Sequence, residues 1–122
     1  MKYVIKTGQL FDNQGHLIGV GYSGHGAGLN NPGWTHVVAV GPLPVGTYTV
    51  GDPRDPVDHL GPIAMPLEPA DDNEMFGRGG FFMHGDNAQN DHSASDGCII
   101  MAHNVRQLVC DSDDDQLEVI AQ

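Results

Sequence analysis

Glycine and proline recur so densely along this chain that only a stretch near its C-terminal end is free to form a helix. The 122 residues include 17 Gly and 8 Pro, gathered in short clusters such as GPLPVG (41–46) and GRGG (77–80). Gly in a helix interior costs backbone entropy, and Pro removes a donor and clashes with the preceding turn, so what remains is short strands joined by turns. Tyr3-Val4-Ile5 and Gln9-Leu10-Phe11 read as strands, and FDNQGHLIGVGY sets Asn13-Gln14-Gly15 between two apolar runs, a hairpin signal. Val45 to Val50 alternates like a half-buried strand. PIAMPLEP (62–69) reads as a strand interrupted by Pro66, which predicts a sheet edge. YSGHGAGLNNPGW (22–34) reads as a loop, as do residues 51–59 and 68–80. The helix falls at Ala102 to Val109, where Val105, Leu108 and Val109 share a face, and alternating Gln116 to Ile120 supplies a last strand. With no internal repeat, the expectation is one domain over residues 1–122, mainly β, with one short helix near the C-terminus.

Charge narrows the partners. Sixteen acidic residues against five Lys or Arg give a formal net charge of −11. Nucleic acid needs clustered cations that this chain lacks, and anionic membrane or wall surfaces should repel it. No run of apolar residues is long enough to insert in a membrane. The opening MKYVIKTGQLFDN meets Asp12 too soon for a signal-peptide core, so synthesis in the cytoplasm without a standard export signal is expected. Two Cys, Cys98 and Cys110, allow one disulfide and do not make a framework.

The chemistry concentrates in FFMHGDNAQNDHSASDGCII (81–100). A greasy run ends at His84 with Gly85 directly after it, and another begins after Ser95-Asp96-Gly97-Cys98. A free Cys is mostly protonated at neutral pH, and an imidazole within hydrogen-bond reach would make Cys98 a nucleophile toward carbonyls. Adjacent strands would bring His84 and Cys98 together. The N–H groups of Gly97 and Cys98 would then converge on the developing oxyanion, and Ser95, through its hydroxyl or its carbonyl, would hold the imidazole Nδ1–H. The other reading stays open: His84 is a satisfied strand-end residue and Cys98 a buried small hydrophobe. A poised thiolate would alkylate below about pH 8, whereas a buried thiol would not.

Two further constellations compete with this one. His84, Asp86, Asp91 and His92 form a loose His/Asp group without a zinc signature, which leaves a metal-dependent cell-wall peptidase as an alternative. DSDDD (111–115) lacks the alternation and Gly of an EF-hand loop and reads as a solvated turn. No metal site and no cofactor is assigned. A non-catalytic β-rich wall-binding module is the remaining class. Arg78 has the planar fork that suits a carboxylate, although an exposed loop Arg is the simpler reading; Trp34 reads as packing beneath the Gly-rich loop.

The segment MHGDN…SASDGCIIM resembles the catalytic segment of L,D-transpeptidases, in which His-Gly precedes Ser/Thr-x-Gly-Cys. GPLPVGTYTVG is similar to that family's Pro-Gly strand, and GCIIMAHNVRQLVCDSDDDQLEVI to its Cys strand, short helix and closing strand. YSGHGAGLNNPGW with GPLPVGTY resembles the type VI secretion L,D-transpeptidase effectors, and the pattern covers roughly residues 17–120. The resemblance implies a small L,D-transpeptidase-like β-sandwich with the Cys at a cleft rim, acting on peptidoglycan stem peptides. A thiolate attacks the carbonyl of the L-centre of meso-diaminopimelate and expels D-alanine. Water, a D-amino acid or another stem's amine then resolves the acyl-enzyme. Cys98 matches the nucleophile, His84 the base, Ser95 the motif Ser and Gly97 the oxyanion-hole glycine, with Asp96, Gly85 and Arg78 on the substrate side. An effector or phage lysis protein of this kind would work in the periplasm or wall of a target cell, with an immunity protein as a further partner. The chain departs from the family at Asp96, where a His is common, and at Ile99-Ile100, where polar residues are common. The gap from His84 to Ser95 is also shorter. These departures favour hydrolysis or exchange over cross-linking.

Overall fold

Asp12 bends the first hairpin. Its carboxylate accepts from the backbone N–H of Gln14 and His16, and Gly15 follows at φ 85°. This Asx-type turn pairs β2 (Gln9–Phe11) antiparallel with β3 (Leu17–Val20), as the apolar runs on either side of Asn13-Gln14-Gly15 predict. The computed structural model describes residues 1–53, 63–86 and 92–122. The remaining strands are β1 (Lys2–Val4), β4 (Tyr22–Ser23), β5 (Gly46–Val50), β6 (Met65–Pro69), β7 (Phe82–His84), β8 (Ile99–Ile100) and β9 (Gln116–Ile120). Helix α1 (His103–Asp111) is the only α-helix among the described residues. The mainly β reading with one short C-terminal helix holds.

The nine strands run in the order β3-β2-β1-β9-β5-β6-β7-β8-β4. The closing strand β9 lies inside the sheet, parallel to β1 and antiparallel to β5. The second parallel pair is β7–β8, in which Met83 faces Ile99 and His84 faces Ile100. A parallel pair needs a long crossover. Here the crossover is the polar segment between His84 and Cys98, which the sequence reading framed as a loop between strands. Its residues 87–91 lie outside those described, as does most of the 51–59 loop.

Three readings need correction. Pro66 is not at a sheet edge, because β6 lies between β5 and β7. The strand changes partner there: Leu67 to Pro69 pair with β5, whereas Met65 and Pro66 pair with β7. The Pro66 carbonyl accepts from Gly51, just past the last β5–β6 pair, so its missing N–H falls outside that ladder. The helix does not bury Leu108, which is 55% exposed; Val105, Arg106 and Val109 turn inward instead. The stripe is rotated toward Arg106 because that side chain has carbonyls to meet: its Nε donates to Met101 O at 3.1 Å. Finally, Tyr22–Ser23 within the supposed loop is a strand, paired with β8 through Tyr22–Ile100 and Ser23–Ile99.

The core gathers Tyr3, Leu10, Tyr48, Met65, Met83, Ile99 and Leu117, all fully buried, and α1 lays Val105 and Val109 over it. Cys110 packs against this cluster from the end of the helix, as a small hydrophobe would. Among the described residues one buried polar atom is left without a hydrogen bond, the Tyr3 hydroxyl. Burial also pushes that phenol well above its usual range. An unpaired buried hydroxyl costs about 1–3 kcal/mol, and removing it leaves the ring's packing intact. Tyr3→Phe should therefore raise unfolding stability by about 1 kcal/mol in urea titration; a loss of stability would show that the hydroxyl is satisfied.

Candidate active site

Cys98 stands immediately before β8, at the end of the turn Ser95-Asp96-Gly97. Gly97 has φ +136°, a conformation that L side chains rarely adopt. A Cβ placed there would lie 2.4 Å from the Phe81 ring and 2.6 Å from Arg78 Nη2. Glycine at this position is thus required twice, by the backbone bend and by the close approach of two side chains.

Ser95 is fully buried and holds the turn closed. Its Oγ accepts from Gly24 N at 2.9 Å and from Gly97 N at 3.1 Å, and donates to Cys98 O at 2.5 Å. One donor and two acceptor positions are all a hydroxyl has. The Ser95 carbonyl accepts from His25 Nδ1 at 2.8 Å, while His84 Nδ1 has Gly85 O as its partner. Ser95 therefore does not orient His84, as the sequence suggested. The Gly97 N–H points at Ser95 rather than at a reacting carbonyl, which corrects its expected place in the oxyanion hole. The physical reason is local: a Ser two residues upstream of a tight turn bridges back to the turn's own amide.

The orienting group for His84 is the next residue. His84 is 3% exposed at the end of β7, and its Nδ1 lies 2.8 Å from Gly85 O. A carbonyl only accepts, so Nδ1 carries a proton, and in the neutral ring Nε2 keeps the lone pair. Gly85 also leaves room for Arg106, whose Nη2 would lie 2.8 Å from a Cβ at that position. Across the strand pair Cys98 stands opposite Phe82, and its Sγ accepts the Phe82 N–H at 3.3 Å. Met83 and Ile99 both face the core, so strand alternation turns His84 and Cys98 toward the same, opposite face of the pair.

Burial, the strongest influence, pushes the Cys98 thiol above its ordinary range, and the Asp96 carboxylate adds to this. The Phe82 N–H and the Arg78 charge pull the other way without overcoming it. The resting sulfur is thus a protonated thiol. Both cysteines are free, so no bond to Cys110 blocks it.

Arg78 is neither an exposed loop residue nor open toward solvent. It is 9% exposed, with Nη1 donating to Thr35 O and Pro42 O at 2.7 and 2.8 Å, and Nη2 to Gly41 O and Asp96 O at 2.9 and 3.0 Å. The Asp96 side chain is 78% exposed and lies 3.6 Å from His25 Nδ1.

The Gly-rich segment supplies residues that the sequence reading missed. The buried Ser23 hydroxyl donates to Gly97 O at 2.9 Å and accepts from Leu43 N. Tyr22 OH donates to Asp86 at 2.7 Å and accepts from Ala94 N, and its ring meets His92 edge-on. Leu43 is twenty positions from Ser23 and the other partners lie more than sixty positions away in sequence, so no local spacing could have announced them. Tyr22, Asp86, His92 and Arg106 line a cavity of about 360 Å³ beside Ile100. Of the loose His/Asp group, Asp91 lies outside the described residues, and no metal-binding cluster of three or more His, Cys, Asp or Glu occurs among those described. No helix among the described residues is long and apolar enough to cross a membrane.

Gly97→Ala should destabilise the protein by roughly 1–3 kcal/mol, read by thermal or urea unfolding, because the methyl group meets the Phe81 ring at a strained φ. The Cys98 thiol makes a second prediction. Above about pH 8.5 an unfolded thiol loses its proton while the folded one keeps it, so the native state binds more protons and stability falls as pH rises through that window. Wild type should lose more melting temperature than Cys98→Ser over that range; equal losses would contradict the raised thiol.

No curated protein and no solved structure matches the chain. A family model does, over residues 19–120, and its description is the Tlde1 domain. That match spans the Gly-rich segment, the His84 strand, the Cys98 turn, α1 and β9. The chain belongs to the Tlde1 domain family of type VI secretion L,D-transpeptidase effectors.

Proposed function

We propose that this protein is a peptidoglycan-directed cysteine enzyme that cleaves stem peptides between meso-diaminopimelate and the terminal D-alanine through a Cys98 acyl-enzyme. The observation that carries the reading is the His84 Nδ1–Gly85 O bond at 2.8 Å, on the strand paired with the Cys98 strand. It leaves the imidazole in the tautomer a general base needs, beside a thiol whose raised pKa makes a base necessary. Membership of an effector family of L,D-transpeptidase type supports peptidoglycan as the target and an immunity protein as the second partner.

His84 Nε2 takes the Sγ proton as the thiolate attacks the carbonyl carbon at the L-centre of meso-diaminopimelate. The carbonyl oxygen carries the negative charge, and the Cys98 amide at the head of β8 is the donor proposed to meet it. Collapse of the tetrahedral intermediate breaks the C–N bond, and the imidazolium returns its proton to the departing D-alanine amine. A thioester remains. Water or a D-amino acid amine then adds, with His84 taking its proton, and the thiolate leaves and is reprotonated. The apolar Ile99 and Ile100 after the cysteine, both buried, offer no polar hold for a second stem, which supports hydrolysis and exchange over cross-linking.

Cys98→Ala and His84→Ala should each lower D-alanine release from tetrapeptide muropeptides by ~10³-fold or more while leaving the circular dichroism spectrum unchanged. Mass spectrometry of the muropeptides reads both outcomes, loss of alanine or its replacement by an added D-amino acid. Undiminished turnover in folded Cys98→Ala would end the proposal.

A further inference from the structure

Arg78 has no role in the scheme above, yet it is among the most constrained side chains in the protein. Its guanidinium holds carbonyls from the 35–42 segment and from Asp96, and the Phe81 ring covers it at 5.2 Å from the Arg78 Cζ. Water is thereby kept from one face, and every hydrogen-bond partner is a neutral carbonyl. Among the described residues it forms no ion pair with a carboxylate. A buried positive charge without a counter-ion is costly, and carbonyl dipoles offset only part of the lost hydration. Two groups able to become negative act on it from the buried side, the Tyr48 phenol, whose own burial keeps it protonated, and the Cys98 thiol. Nη2 lies 2.6 Å from where a Gly97 Cβ would be, one residue from Cys98.

We propose that Arg78 is a positioning residue for the Cys98 thiolate, a fixed positive charge locked beneath the Asp96-Gly97-Cys98 turn that stabilises the sulfur's negative charge when it forms. This rests on the reading of Cys98 as the nucleophile. The charged groups around the sulfur fall into place on this view. His84 on β7 receives the proton, and Tyr48 faces Arg78 from β5 as a buried phenol. The Asp96 carboxylate turns outward toward His25, where solvent weakens its opposition. The directions of the shifts agree: Arg78 draws the Cys98 thiol down, and Cys98 in turn favours the charged guanidinium. In a site this poor in water, one fixed charge acts more strongly than it would at the surface.

The test is the pH dependence of Cys98 alkylation by iodoacetamide, measured in a Cys110→Ser background so that one thiol reports. Arg78→Gln should move the midpoint up by roughly one unit, which is ~10-fold less thiolate at a given pH below it. Arg78→Lys keeps the charge and loses the fork, and its midpoint should stay near wild type even though its melting temperature falls. A folded Arg78→Gln with an unmoved midpoint overturns the proposal, as does a Lys variant that shifts as far as Gln. Should the Gln variant not fold, the Arg78 guanidinium nitrogen resonances of the Cys110→Ser protein should titrate with Cys98 and stay still in a Cys98→Ser variant of it; no movement also overturns it. None of these measurements uses peptidoglycan. Failure here leaves the cell-wall reading intact, whereas an active Cys98→Ala sinks that reading without reference to Arg78.

Discussion

A turn bent through positive φ at Gly97 keeps its shape only because buried polar groups close on it from several sides. Ser95 Oγ uses all of its hydrogen-bonding positions within a few ångströms of the cysteine, on Gly24, Gly97 and Cys98. Ser23 takes the Gly97 carbonyl, His25 takes the Ser95 carbonyl, and Arg78 takes the Asp96 carbonyl. Each of these side chains is anchored in turn to another segment, so the turn and the Gly-rich stretch from Tyr22 to Leu43 form one hydrogen-bonded unit. The cysteine's approach to β7 depends on that unit more than on the two-residue strand that follows it.

The arrangement separates holding from reacting. Ser95, the motif residue that looked chemical, belongs to the scaffold, and the orientation of His84 comes from the neighbouring carbonyl of Gly85. A carbonyl fixed by the chain one residue away is a more rigid partner than a side chain from another loop, because no rotamer must be frozen to supply it. The sulfur, partly withdrawn from water, is held in its protonated form. Such a thiol is protected from indiscriminate reaction in a way that an exposed thiolate is not.

Much of the fold was legible, and the exceptions share a cause. The Asn13-Gln14-Gly15 hairpin, the alternating β5 and β9 and the helix after Met101 all rest on interactions within a few residues, which periodicity and turn chemistry record. Pro66 misled because edge position is only one way to tolerate a missing N–H, and a change of strand partner is another. Leu108 misled because an arginine with buried carbonyls to reach outcompeted it for the inward face. Tyr22–Ser23 was hidden among glycines because a two-residue strand has no period to detect.

The Gly and Pro clusters and the alternating runs were enough to read a mainly β fold. The order of His84-Gly85 and Ser95-Asp96-Gly97-Cys98, taken with the Pro-Gly strand, the Gly-rich segment and the trailing helix and strand, was enough to read the family. Residue type and spacing carry that information directly, since turn residues, alternation and a glycine for a tight bend are each recognisable from local chemistry. Which group orients the histidine, which amide faces the turn and where Arg78 points were decided only by tertiary structure. Those roles depend on hydrogen bonds between residues tens of positions apart, and a donor's partner is fixed by which acceptors the folded backbone brings within about 3 Å, a quantity absent from the linear order.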